Sequence, residues 1–202
     1  MANTIPQSSV QQDQLASDIE RLTESLGQLP EPLAEPSFIA VSGLPGTGKS
    51  YFCGKLAERL PCAVLESDAL RRAIFPKPCY SQRESSRLFR AIHVLIERLL
   101  RKGIPIILDA TNLSERYREY LYSIADRLNV RLILVRVEAP PEVVQERLMN
   151  RTRDTEAKSD ADWAVYQKMK HTVQRIRRKH YVVDTSRDIT PVLDKIVREA
   201  NR

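Results

Sequence analysis

A run of eight residues constrains the fold of this chain more than any other feature of its sequence. The run is Gly43-Leu44-Pro45-Gly46-Thr47-Gly48-Lys49-Ser50. It matches the phosphate-binding pattern G-x-x-x-x-G-K-[ST] at every fixed position. The apolar residues 38–41 before it are typical of a buried strand, and the residues from Tyr51 onward are typical of a helix. A strand, this loop and a helix in that order predict an α/β fold that binds a nucleoside triphosphate.

The residue types in the run suit an anion. Glycines let the backbone curl so that several N–H groups point at one phosphate, and the start of the following helix adds partial positive charge. We expect Lys49 among the β- and γ-phosphate oxygens and the Ser50 hydroxyl on Mg²⁺. Residues 43–50 and Tyr51 are therefore predicted to bind ATP. The alternative, an ordinary Gly/Pro turn, would make the Lys49–Ser50 pair a coincidence.

Length and composition exclude several classes of protein. The chain has 202 residues, 42% of them apolar and 29% charged, which is ordinary for one soluble domain. No apolar run approaches the roughly 20 residues of a membrane span, and the N-terminus has no secretory pattern. Cys53, Cys62 and Cys79 lack metal-ligand spacing and are expected to be reduced thiols. These features predict a cytoplasmic protein without a membrane partner.

Charge is divided unevenly along the chain. Residues 1–36 carry six acidic residues and one basic residue, whereas residues 37–202 carry 20 acidic and 31 basic residues. A basic body suits a polyanionic ligand. Because ATP alone would justify much of this excess, nucleic acid is a permitted partner and not a required one.

The first 36 residues are predicted to be an extension of the phosphate-binding domain at residues 37–202. Leu15, Ile19, Leu22 and Leu26 form the stripe of an amphipathic helix, and Gly27 follows as a stop. Prolines at positions 30, 32 and 36 then predict an extended linker. This helix either packs on the domain surface or binds a partner or a second copy, and the oligomeric state stays open.

Beyond residue 37, short apolar strands alternate with helices. The strands are predicted at Phe38–Ser42, Ala63–Ser67, Ile104–Asp109, Val130–Val137 and Tyr181–Asp184. The helices are predicted at Lys49–Leu60, Ser85–Arg101, Ser114–Leu128, Pro141–Arg151, Ala161–Arg178 and Pro191–Ala200. This order predicts a parallel sheet with helices on both faces, and ligands bind such sheets at the carboxyl ends of the strands.

Three clusters of polar residues follow predicted strands or close the helix after one. Asp68 and Arg71 follow the second strand, where a carboxylate can take a proton from a hydroxyl and an arginine can bind an acidic group. A helix cap with a surface ion pair is the alternative.

The second cluster is Asp109-Ala110-Thr111-Asn112. An apolar strand that ends in an acid is the arrangement in which a carboxylate binds Mg²⁺ or its water, so Asp109 joins Ser50 as a metal-ligand candidate. Thr111 and Asn112 are predicted to contact the substrate near the transferred phosphoryl group. Simple capping at a strand exit would explain single residues but not the set.

The third cluster closes the helix after the fourth strand. Arg147 and Arg151 are four residues apart and share a helix face. Arginines over the phosphates would neutralise charge in the transition state. A solvated basic helix end is the alternative.

These motifs resemble a known family. Gly43–Ser50, Asp68 with Arg71, residues 109–112, and Arg147 with Arg151 occur in the order seen in the P-loop kinase group that contains phage-type polynucleotide 5′-kinases. The resemblance covers roughly residues 37–187. It implies a three-layer P-loop NTPase fold, a five-stranded parallel sheet in the order 2-3-1-4-5, and a helical lid at about residues 147–162.

The resemblance also implies roles for single residues. Asp68 matches the general base for the acceptor hydroxyl, and Arg71 matches an arginine on the acceptor-side phosphate. Asp109 matches an acceptor-site acid, and Arg151 matches a lid arginine on the phosphates of ATP. Together with Lys49 these residues predict a kinase that uses ATP and Mg²⁺.

The acceptor is left open by the sequence. A small-molecule or nucleotide-type acceptor is the first hypothesis, because relatives in the wider group phosphorylate sugars, antibiotics or nucleotide-sugars. A polynucleotide 5′-hydroxyl is the second, favoured by the Asp68–Arg71 pair and the basic run at residues 175–179. A switch-type ATPase is the third, although Asp68 and the lid arginines would then have no purpose.

Overall fold

The computed structural model of the protein describes residues 7–151 and 161–202. Its strands are β1 (Phe38–Ser42), β2 (Ala63–Glu66), β3 (Ile106–Asp109), β4 (Leu132–Glu138) and β5 (Tyr181–Asp184). Its α-helices are α1 (Gln7–Ser25), α2 (Lys49–Ala57), α3 (Ser67–Ile74), α4 (Gln82–Arg101), α5 (Glu115–Leu128), α6 (Pro141–Arg151), α7 (Trp163–Met169) and α8 (Thr190–Ala200). None of the helices in these two ranges is both long and apolar enough to cross a membrane.

The strands form one parallel sheet in the order β2-β3-β1-β4-β5. This confirms the predicted α/β fold and strand order. All five residues of β1 are buried, as expected for a central strand covered on both faces. The phosphate-binding run follows this strand directly.

Alternate strand residues face two separate cores. Phe38 and Ala40 of β1 lie in the core covered by α1, α3, α4 and α5, whereas Ile39 and Val41 lie in the core covered by α2 and α8. The period of two places Ile107 of β3 in the second core. Helices therefore cover both faces, as the predicted three-layer fold requires.

The amphipathic stripe of α1 is buried against α3 and α4. Ile19 and Leu22 have 1% and 0% of their surfaces exposed. The buried carboxylate of Asp18 forms an ion pair with Arg87 of α4 at 2.6 Å, and the Arg87 guanidinium lies over the ring of Phe75. The helix packs on the domain, which was one of its two predicted roles. The domain division at residue 36 stays a prediction.

The predicted helix Ala161–Arg178 is wrong in its second half. The α-helix ends at Met169, a short 3₁₀ turn covers Lys170–Thr172, and residues 173–180 are irregular. Tertiary hydrogen bonds replace the helical ones, because the carbonyl oxygens of Gln174 and Arg175 accept from the buried guanidinium of Arg118. The predicted lid at 147–162 stays a prediction, and its residues 152–160 lie outside the described part of the chain.

Replacing Leu22 with Ala should lower the free energy of unfolding by about 2–5 kcal/mol, because it leaves a cavity beneath α1. Urea unfolding followed by circular dichroism measures the change. Leu33→Ala is the control, since Leu33 is 43% exposed, and should cost less than about 1 kcal/mol. Equal losses in the two variants would show that α1 is not part of the folded core.

Candidate functional site

The phosphate-binding loop connects β1 to α2 and is packed tightly at its glycines. A side chain at Gly43 would collide with the carbonyl oxygen of Val137 in β4. Gly48 has a φ of 87°, and a Cβ atom there would lie 3.0 Å from Oγ1 of Thr185. Only glycine adopts this backbone without strain at such close approach. The loop is therefore shaped by its neighbours as well as by its own sequence.

Lys49 begins α2, and its side chain turns back over the loop. Its Nζ lies 3.0 Å from the carbonyl oxygen of Leu44, which also accepts a hydrogen bond from the Thr47 hydroxyl at 2.8 Å. Ser50 and Tyr51 follow on the first turn and are exposed, Tyr51 by 58%. The first N–H groups of α2 have no helical acceptor, so this end of the helix suits an anion.

Asp109 lies at the carboxyl end of β3, between two other strand ends. It is in register with Val41 of β1 on one side and with Glu66 of β2 on the other. Because Ile107 faces α2, the period of two turns the buried Asp109 toward α2 as well. The oxygen donors of Asp109 and Ser50 are of the type that Mg²⁺ prefers.

The pKa of the buried Cys53 thiol is set by its burial and by charges at the loop and the strand ends. Burial raises the pKa of the Cys53 thiol, the negative charge of Asp109 raises it further, and the positive charge of Lys49 opposes both. Glu66 adds a smaller effect in the same direction as Asp109. Cys53 is therefore a protonated thiol, buried near enough to Lys49, Asp109 and Glu66 for their charges to act on it.

The segment after β3 is fastened to the phosphate-binding loop. The carbonyl oxygen of Thr111 accepts from the Gly43 N–H at 3.1 Å and from the Ser42 hydroxyl at 3.0 Å. The side-chain amide of Asn112 donates to the carbonyl oxygen of Val41 at 2.8 Å. Asn112 is buried and Thr111 is partly exposed, and their predicted contacts with a substrate stay predictions.

Arg118 is a buried residue of this region that sequence reasoning missed. It is 1% exposed, and its guanidinium donates to the Glu115 carboxylate at 2.6 Å and to the carbonyl oxygen of Asn112 at 2.6 Å. It also binds the carbonyl oxygens of Gln174 and Arg175. In the sequence, an arginine within a helix looks the same whether its side chain is buried or exposed, and most arginines are exposed. No sequence signal therefore indicated that Arg118 is buried.

The predicted acceptor residues lie in α3, beside the end of β2. Asp68 is in the first turn and is partly exposed. Arg71 is buried and forms an ion pair with Glu84 at 2.7 Å. Its guanidinium carbon lies over the face of the Tyr80 ring, 4.8 Å from the ring centroid. A hydrogen bond to Ser85 at 3.3 Å occupies a further donor. The Arg71 guanidinium is therefore held by α4, and its predicted acceptor contact stays a prediction.

Glu84, which the sequence analysis did not single out, is the counter-ion of Arg71. Burial favours the protonated acid, but hydrogen bonds from the Cys79 thiol, Arg71 and the Cys79 N–H outweigh it and lower the pKa of Glu84 to about 2. The carboxylate is thus charged at neutral pH. It joins the loop after α3 to the start of α4.

Arg147 of α6 is directed at the residue that follows β5. Its Nη1 donates to Oγ1 of Thr185 at 2.8 Å, and its Nη2 donates to the Thr185 carbonyl oxygen at 2.9 Å. The sequence analysis did not single out Thr185. Its position just after a strand could have indicated it, because ligands bind at the carboxyl ends of parallel strands. The predicted role of Arg151 depends on a side chain outside the described part of the structure.

Aromatic residues of α7 belong to an apolar cluster that the phosphate-binding loop also contacts. Val144, Leu148 and Tyr166 form a small apolar cluster, and Leu44 of the loop packs on it. The ring of Trp163 packs on the same cluster and stacks on Tyr166 with 4.8 Å between centroids. Trp163 is the only tryptophan of the chain, so its fluorescence reports on this side of the loop.

The structure therefore gathers most of the predicted residues at one edge of the sheet. Lys49 lies on the loop, and Asp109 ends the strand beside β1. Arg147 binds Thr185, which lies against Gly48 of the loop, and Asp68 follows β2. Among the described residues, no group of three or more His, Cys, Asp or Glu side chains could hold a metal ion alone. A metal here would need oxygen atoms from its nucleotide.

Comparison with known proteins gives one family and several similar folds. The sequence model of a family described as an AAA domain matches residues 38–176. That range covers every predicted site residue, whereas Thr185 lies beyond it. No curated protein matches the chain.

Solved structures share the fold at low sequence identity. A gluconokinase from Sinorhizobium meliloti is 24% identical, with a TM-score of 0.56 over 82% of this chain and 89% of its own. Chaetomium thermophilum Kti12, in complex with ADP-AlF3, is 19% identical, with a TM-score of 0.64 over 81% and 98%. Mycobacterium tuberculosis APS kinase CysC, in complex with AMPPNP and APS, is 17% identical, with a TM-score of 0.58 over 83% and 99%.

Glu84→Gln should destabilise the protein at neutral pH, and the difference from wild type should shrink in acid. The lowered pKa of Glu84 stabilises the fold above about pH 4.5, and this contribution, up to about 3 kcal/mol, is lost as the pH falls toward 2. Urea unfolding at pH 7, 5, 4 and 3 measures it. Glu58→Gln, at an exposed pair with Lys55, is the control with little effect. If the difference in free energy of unfolding between Glu84→Gln and wild type did not change with pH, the charged Glu84–Arg71 pair would be contradicted.

Proposed function

The chain belongs to the AAA domain family, and we propose that it is an ATP-dependent kinase that phosphorylates the hydroxyl of a small-molecule or nucleotide-type acceptor. One observation carries the proposal. The Lys49 ammonium on the phosphate-binding loop and the carboxylates of Asp68 and Asp109 follow adjacent strands at one sheet edge. A donor triphosphate and an acceptor hydroxyl are the two groups that this arrangement suits.

The proposed reaction is a direct in-line transfer. ATP binds with its phosphates in the loop 43–50, and Asp68 accepts the proton of the acceptor hydroxyl. The acceptor oxygen forms a bond to the γ-phosphorus as the bond from that phosphorus to the bridging oxygen of ADP breaks. Lys49, Arg147 and Arg151 stabilise the negative charge that spreads over the transferred group.

Ser50 and Asp109 are the residues that would hold Mg²⁺, Asp109 through water or directly. The ion would neutralise charge on the β- and γ-phosphate oxygens. Asp109 is a buried carboxylate at a strand end beside Glu66, and a buried charge is costly unless cations or hydrogen bonds compensate it. Mg²⁺ would supply one such cation.

A polynucleotide 5′-hydroxyl is the second candidate acceptor, and one observation favours it. The exposed side chains of Arg175, Arg177 and Lys179 lie on a segment joined to the loop after β3, because the Gln174 N–H donates to Leu113 at 2.9 Å. Basic residues near the strand ends where the acceptor is proposed to bind suit the phosphate backbone of a nucleic acid. A switch-type ATPase is less well supported, since Asp68 would then have no acceptor.

An acceptor screen separates these functions. The protein is incubated with Mg²⁺ and ATP labelled at the γ-phosphate, together with either a panel of sugars and nucleotide-type compounds or a 5′-hydroxyl oligonucleotide. Label on a metabolite supports the first function, and label on the oligonucleotide supports the second. Labelled inorganic phosphate alone, at a rate that no acceptor changes, would favour the ATPase.

Lys49→Ala should abolish phosphoryl transfer and weaken ATP binding by about tenfold or more, because it removes the charge that faces the phosphates. Titration of Trp163 fluorescence with ATP measures the affinity. Lys55→Ala, which removes an exposed lysine of the same helix, is the control and should leave both properties unchanged. Normal transfer by Lys49→Ala would refute the assignment of the loop.

Asp68→Ala should lower the transfer rate by about 10²–10⁴-fold while ATP still binds, because only the proton acceptor is lost. The rate is measured with the acceptor found in the screen, and the affinity is measured by Trp163 fluorescence. Asp194→Ala is the control and should keep full activity, because Asp194 forms an exposed ion pair with Arg59 and is not a predicted site residue. Full activity of Asp68→Ala would show that another group is the base.

A further inference from the structure

Thr185 binds two parts of the site with a single hydroxyl group. Its Oγ1 donates to the carbonyl oxygen of Thr47 in the phosphate-binding loop at 2.7 Å. A hydroxyl has one proton and two lone pairs, so the oxygen stays able to accept, and it accepts from Nη1 of Arg147. The loop backbone and the Arg147 guanidinium are thus joined through one atom.

Thr185 is itself held firmly. It is buried, and its N–H donates to the carbonyl oxygen of Glu138 at the end of β4 with 3.0 Å between nitrogen and oxygen. Its side chain lies against Gly48, where an added Cβ would be 3.2 Å from the Thr185 methyl group. The residue therefore has little freedom to move relative to the sheet or to the loop.

The fork of Arg147 is oriented by the same residue. Its two terminal nitrogens bind the hydroxyl and the carbonyl oxygen of Thr185, which fixes the plane of the guanidinium as well as its position. A lysine could not be oriented in this way. The guanidinium is kept beside the Thr47–Gly48 part of the loop, where the phosphates are proposed to bind.

We propose that Thr185 is a positioning residue for phosphoryl transfer, whose hydroxyl sets Arg147 in register with the phosphate-binding loop. This inference rests on the proposed function, since it assigns Arg147 to the transferred group. Thr185 acts through Arg147 and Thr47 and does not touch the reacting atoms. Its loss is therefore expected to lower the turnover number more than the affinity for ATP.

Thr185→Val and Thr185→Ser form a matched pair for the test. Valine keeps the shape but leaves the Thr47 carbonyl oxygen and Nη1 of Arg147 without their partner, whereas serine keeps the hydroxyl. Hydrolysis of ATP·Mg²⁺ with water as acceptor is measured, so the test does not depend on the acceptor screen. Thr23→Val, which removes the hydroxyl of an exposed residue of α1, is the control.

Thr185→Val should lower kcat about tenfold or more, with the Kd for ATP, from Trp163 fluorescence, changed less than about threefold. Thr185→Ser should recover most of the turnover, and Thr23→Val should match wild type. In an Arg147→Met background, Thr185→Val should cause a much smaller loss, because only its hydrogen bond to the Thr47 carbonyl oxygen remains to be removed.

Three results would overturn the inference while the proposed function stood. These are equal turnover of Thr185→Val and wild type, equal loss in the valine and serine variants, or the same loss from Thr185→Val with and without Arg147. A wild-type protein that turns over no ATP and labels no acceptor would instead refute the proposed function, and this assignment with it.

Discussion

The backbone of the phosphate-binding loop is held in place by three neighbouring strand ends. The Gly43 N–H donates to Thr111 after β3, Gly43 lies against Val137 of β4, and the Thr47 carbonyl oxygen accepts from Thr185 after β5. Inside the loop, the carbonyl oxygen of Leu44 accepts from the N–H and the hydroxyl of Thr47. Because N–H groups that face an anion are not available for bonds within the loop, these contacts with the parallel sheet add to its stability.

The residues proposed to bind the donor and the acceptor are held by different means. The loop proposed to bind the donor uses backbone groups and glycines packed against neighbouring strands. Arg71, proposed to contact the acceptor, is held by a buried ion pair with Glu84, whose charges are costly to bury and need every hydrogen bond they make. The position of Arg71 therefore depends on the charge of Glu84, whereas the shape of the loop depends on close backbone packing.

Patterns local in sequence predicted much of this molecule. The strands, the stripe of Ile19 and Leu22, and the loop follow from periodicity and spacing, and the resemblance to P-loop kinases supplied the strand order. Contacts between distant segments were not predictable. Arg118 binds the carbonyl oxygen of Gln174, just beyond the point at which the helix predicted at Ala161–Arg178 ends in the structure. Glu84, which lies on a different helix from Arg71, forms an ion pair with it. Such hydrogen bonds leave no periodic trace in the sequence.

The ion pair between Asp18 and Arg87 links the N-terminal helix α1 to the region of Asp68. Arg87 lies over Phe75, and Phe75 ends the helix that begins with Ser67 and Asp68. The residues matched by the AAA domain family begin at 38, after this helix. The N-terminal boundary of the matched family range is thus not a boundary of packing, and α1, which lies outside that range, supports the helix that carries Asp68, the proposed general base.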